Sequence, residues 1–109
     1  MNNDLPIEIQ QLIANYKPEK IILFGSRVTR NVHEDSDYDF LIIKETSTRR
    51  LNRREEALRN TTRTVPLDLI ILTPEEFNTL KEMNSQFIEE ILSTGKVVYE
   101  REESLAEFH

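Results

Sequence analysis

Gly25-Ser26-Arg27-Val28-Thr29-Arg30-Asn31-Val32-His33-Glu34-Asp35-Ser36-Asp37-Tyr38-Asp39 is the stretch on which the fold turns, because an apolar run stands on each side of it. Lys20 to Phe24 leads in, apolar at four consecutive positions, and Phe40 to Ile43 leads out. Runs of this length without alternation suit strands covered on both faces. Gly25 breaks the first strand, since a residue without a Cβ lets the backbone turn sharply. The residues between, Arg27 to Ser36, are polar and leave room for one or two helical turns. Asp37 and Asp39 open the second strand, and the period of two then puts both carboxylates on one face.

Leu5, Ile9, Leu12, Ile13 and Tyr16 recur at helical spacing before the first strand, with Asp4 as a cap, Pro6 in the first turn and Pro18 as terminator. Thr46 to Thr62 is charged and helix-prone, with sparse apolar positions. Leu67 to Leu72 predicts a third strand. Thr73-Pro74-Glu75-Glu76 predicts a capping box, followed by a helix or helix pair carrying Phe77, Leu80, Phe87, Ile88, Ile91 and Leu92. Gly95 is expected to end it in the left-handed conformation, Val97 to Tyr99 to form a last strand, and the tail 101–109 to fray. Alternating helices and strands with short loops imply one small α/β (α+β) domain over residues 1–109, a small mixed sheet flanked by helices.

The 109 residues leave no room for a separate substrate domain, and a net charge of −6 gives no electrostatic reason to expect direct binding of nucleic acid. Without cysteine there is neither a disulfide nor a thiolate metal site. The N-terminal residues lack a basic segment followed by an apolar stretch, and no apolar run approaches membrane-spanning length, so a cytoplasmic protein is expected.

Asp68 interrupts the apolar run Leu67-Asp68-Leu69-Ile70-Ile71-Leu72. Buried there without a partner, its charge would cost several kcal/mol. Repulsion between Asp37 and Asp39 adds to the demand for compensation. Two Mg²⁺ ions would meet it, since Mg²⁺ takes oxygen ligands from one or two carboxylates plus substrate phosphates, and paired ions stabilise both oxygens of an in-line phosphoryl displacement. The same residues also admit plainer roles, Asp37 in a turn rich in turn formers and Asp68 in an ion pair with an arginine. Gly25-Ser26 before a short helix could cradle a phosphate, with Arg27 or Arg30 adding a cation, or could be an ordinary serine-capped turn.

Gly25-Ser26, ten residues, then Asp37-Tyr38-Asp39, with Asp68 on a later strand, resembles the signature of the polymerase-β-like nucleotidyltransferase superfamily. Within it the chain's length is similar to that of the stand-alone minimal nucleotidyltransferases (MNT), antitoxins encoded beside a HEPN-domain toxin that is an RNase. The resemblance implies the polymerase-β-like fold and transfer of AMP from ATP to a tyrosine of the HEPN toxin. It implies that Gly25, Ser26 and Arg27 bind the nucleotide, and that Asp37, Asp39 and Asp68 are catalytic and hold the two Mg²⁺. The competing readings are an antitoxin that neutralises its partner by masking it, and transfer to a small molecule.

Other features invite plainer readings. His33 is expected in an exposed loop and Tyr38 on the face opposite its two neighbours. Six of nine arginines (Arg49, Arg50, Arg53, Arg54, Arg59, Arg63) crowd into fifteen residues, as a solvated helix face or a basic rim.

Overall fold

The computed structural model describes residues 5–25 and 38–101. In chain order it contains α1 (Ile7–Tyr16), β1 (Lys20–Phe24), β2 (Tyr38–Ile43), α2 (Arg50–Ala57), β3 (Leu67–Leu72), α3 (Pro74–Glu82), α4 (Gln86–Thr94) and β4 (Lys96–Glu100). The strands form one mixed sheet in the order β3-β2-β1-β4. β2 and β3 are parallel, linked by a crossover through α2, while β1 runs antiparallel to both β2 and β4.

Ile21 to Phe24 and Phe40 to Ile43 on the central strands are continuously apolar because both faces of the sheet are covered. On one face α1 and α2 bring Ile9, Leu12, Tyr16, Ala57 and Leu58 against Ile21, Phe40, Ile42 and Ile71. On the other, α3 and α4 bring Phe77, Ile88 and Ile91 against Ile22, Leu41, Ile43 and Leu72. Each buried Leu, Ile or Phe among them contributes about 1.5–3 kcal/mol of burial free energy. Among the described residues no helix is long and apolar enough to cross a membrane.

Local signals set the boundaries. Lys17, left-handed at φ 57°, closes α1 before the buried Pro18. The expected capping box forms: Glu76 N donates to Thr73 Oγ1 (3.1 Å) and Thr73 N to Glu76 Oε1 (2.9 Å). The helical stripe beyond it splits into two helices where Asn84 turns left-handed and Ser85 caps α4. The stripe is core only in part, since Phe77, Ile88 and Ile91 are buried while Phe87 and Leu92 stay exposed.

Two expectations are corrected. Gly95 is not left-handed; its φ is −77°. Lack of a side chain is what matters there, because a Cβ would strike the Ile91 carbonyl and come within 2.8 Å of Ile22, and β4 begins at the next residue. The charged stretch 46–62 yields only α2, eight residues long, since Arg53 and Ala57 are the positions of that helix that bury.

The arginine cluster is more than a solvated face. Tyr38 N and Lys44 N donate to the carbonyls of Pro66 and Leu72, so the even-numbered carbonyls of this segment face β2. The odd-numbered ones point outward from β3, an edge strand. Arg54 Nη2 takes the Leu67 carbonyl (3.2 Å) and Arg53 Nη1 that of Ile71 (3.1 Å), which blunts the edge. Arg53, only 6% exposed, also donates from Nε to Thr48 O (2.8 Å) and from Nη1 and Nη2 to Glu76 (2.8 and 3.2 Å). Arg49, Arg50, Arg59 and Arg63 are exposed.

Glu8 ties α1 to the segment that leads into β3. Its carboxylate, fully buried, accepts from Thr64 N, Thr64 Oγ1 and Val65 N. Burial works to raise its pKa, but these hydrogen bonds outweigh it and hold the carboxyl below the usual range.

Candidate functional site

Asp39 is in register with Asp68 on one side and Phe24 on the other. Leu41 and Ile43 on β2, and Ile70 and Leu72 on β3, belong to the cluster under α3 and α4. Alternation therefore sets both carboxylates on that same face. Neighbouring strands lie about 4.8 Å apart.

Gly25 completes the corner. Its φ is +83°, and a Cβ there would collide with the Asp39 carboxylate and lie 3.1 Å from its carbon. Glycine is needed both for the left-handed backbone and for the close approach. Gly25→Ala is thus expected to cost roughly 1–2 kcal/mol of stability from backbone conformation alone. It should also displace the Asp39 carboxylate, and a thermal melt would read the loss of stability.

Asp68 is exposed, which corrects its expected burial. β3 lies at the sheet edge, and Asp68 is its second residue. It has no ion-pair partner among the described residues, and Arg27 and Arg30 lie outside them. An accessible carboxylate beside a second one, above a backbone with no side chain in the way, fits a hard divalent cation with oxygen ligands. Among the described residues there is no cluster of three metal-ligating groups. Asp37, Ser26, Arg27, Arg30 and His33 lie outside the described residues. Tyr38 takes the opposite face as expected, its ring stacked on Phe40 at 5.7 Å between centroids.

Sequence reasoning missed a cleft of about 290 Å³ beside this corner, lined by Phe24, Gly25, Phe87, Glu90, Ile91 and Thr94. The available hint was Phe24, the residue directly before the turn.

The profile of the family described as polymerase beta, nucleotidyltransferase matches residues 8–104. A comparison with curated proteins finds no match. Among solved structures, the chain is similar to one of a toxin–antitoxin with AMP-PNP, with a TM-score of 0.55 and 20% identity over 93% of this chain and 77% of that one. It is likewise similar to a mutant of the toxin–antitoxin MntA-HpeT, with a TM-score of 0.55 and 18% identity over the same shares. At these identities the two structures show a shared fold.

Proposed function

We propose that this chain, which belongs to the polymerase beta nucleotidyltransferase family, transfers AMP from ATP to a tyrosine hydroxyl of a HEPN toxin and so acts as its antitoxin. The observation that carries the reading is the corner itself: Asp39 and Asp68 side by side on parallel strands, with the Gly25 backbone against Asp39. The two toxin–antitoxin structures, one with an ATP analogue, support the choice of nucleotide and partner class.

Asp39 and Asp68, with Asp37, are the residues that would hold Mg²⁺. Bound there, the metal would neutralise charge on the attacking and leaving oxygens. Gly25 leaves the triphosphate free to approach the backbone, and Ser26 and Arg27 are the candidates to contact it. The acceptor oxygen bonds to the α-phosphorus, the bond from that phosphorus to the bridging oxygen breaks, and pyrophosphate leaves. Asp68, exposed at the sheet edge, would help take the hydroxyl proton. Positioning and charge compensation supply most of the rate in such displacements.

The test is to incubate the chain with labelled ATP, Mg²⁺ and the toxin, with and without Asp37→Ala plus Asp39→Ala. The expected result is labelled, silenced toxin with the parent chain and neither label nor silencing with the double variant. Silencing that survives the double change with no label transferred would replace catalysis by masking.

A further inference from the structure

We propose that the cleft between β1 and α4 seats the nucleobase, and that Glu90 selects a base bearing an exocyclic amino group. This rests on the nucleotide-transfer reading above and deepens it.

The cleft shares Gly25 with the carboxylate corner, and Phe24, on its wall, is in register with Asp39. A nucleotide whose phosphates lie over Gly25 therefore has its base within reach of this cleft. Its volume, about 290 Å³, falls just below the roughly 300–1,000 Å³ usual for ligand clefts, enough for a base but not a whole nucleotide. Phe24, Phe87 and Ile91 make its walls apolar. The two rings meet edge to face, 6.1 Å between centroids at 89°. Phe87 remains 47% exposed on α4. An aromatic ring held half in solvent beside a phosphate corner offers a stacking surface to a base.

The polar groups supply direction. Thr94 Oγ1 is already committed, donating to the Glu90 carbonyl at 2.7 Å. The Glu90 carboxylate is exposed and has no partner among the described residues. A carboxylate only accepts hydrogen bonds. It favours the amino group of adenine or cytosine over the carbonyl that uracil presents at the same place. Its negative charge also disfavours phosphate in the cleft, so base and triphosphate cannot exchange places.

The test measures the affinity of the full chain, with Mg²⁺, for ATP, UTP, the triphosphate of purine riboside (adenosine without its amino group) and inorganic tripolyphosphate. Phe87→Ala is expected to weaken ATP by about tenfold and to leave tripolyphosphate unchanged. Glu90→Ala, an exposed change that folding tolerates, is expected to bring ATP and the purine riboside analogue to equal affinity. ATP binding unmoved by Phe87→Ala, or ATP and tripolyphosphate weakened alike, overturns the base seat. An unchanged preference for ATP over the analogue in Glu90→Ala overturns the selectivity. If the parent chain binds tripolyphosphate in an Asp39-dependent way while either variant fails to act, the transfer site stands and the base seat falls. If the parent chain binds neither ATP nor tripolyphosphate, both fall.

Discussion

Asp68→Asn is expected to lower kcat/KM for transfer by at least about 10³-fold, roughly 4 kcal/mol of transition-state stabilisation, while the melting temperature moves by no more than about 4 °C. The separation of the two effects follows from the location. Asp68 is exposed on the edge strand and carries no ion pair among the described residues, so the fold does not depend on its charge. The corner does, because Asp68 is the accessible one of two carboxylates in register. The amide keeps the shape and one acceptor oxygen but loses the negative charge that a divalent cation needs. Steady-state kinetics and a thermal melt of the same preparation check both halves. A variant that retains activity within a factor of ten would remove Asp68 from the machinery.

Arg53→Ala should do the reverse and strike the fold. One guanidinium joins α2 to the outer edge of β3 through Ile71 O, to the loop through Thr48 O and to the start of α3 through both oxygens of Glu76. Removing it takes its donor from two carbonyls and its main partner from the half-buried Glu76, which keeps only Arg50 at 3.7 Å and the Thr73 N–H, at a cost of about 3 kcal/mol. For a domain of this size the melting temperature should fall by on the order of 15 °C or more. Arg53→Lys should recover little, because a single ammonium cannot match the fork. The pair also sets an acid limit. Hydrogen bonds from Arg53 are the main cause that lowers the Glu76 pKa to about 2, from an ordinary 4.5. A depressed folded-state pKa means its contribution is complete above 4.5 and disappears as the pH falls toward 2. Parent stability should therefore decline across that window, and the decline should be shallower in Arg53→Ala, as urea melts at successive pH values would show.

What could be read from the chain alone, and what could not, divides along the range of the forces involved. β1 and β3 appear with the bounds their apolar runs predict, and the Thr73 box forms as written, because those signals lie within a few neighbouring residues. The pairing of Asp39 with Asp68 also follows from their positions at the starts of two strands, once those strands are parallel. Exposure of Asp68 does not follow, since an apolar run reads the same on an edge strand as on a central one. Burial of Arg53 was hidden for a similar reason: its partner Glu76 is 23 residues away, and a helix rich in arginine looks solvated until that contact exists. Glycine after a helix usually has a backbone role, whereas the demand on Gly95 is for space, set by the Ile91 carbonyl and by Ile22 and Leu23 on another strand. The cleft beside Gly25 joins β1 to a helix more than sixty positions later, and no local pattern announces it.

The fate of the two ends of ATP tests the central claim most directly. Give the chain and its toxin ATP labelled either at the α- or at the γ-phosphate, in the presence of Mg²⁺, and follow both labels. Nucleotidyl transfer at the Asp39–Asp68 corner predicts that α-label accumulates on the toxin and γ-label leaves as pyrophosphate, both halted by Asp68→Asn. Toxin carrying γ-label, or α-label transferred equally well by Asp68→Asn, would contradict it.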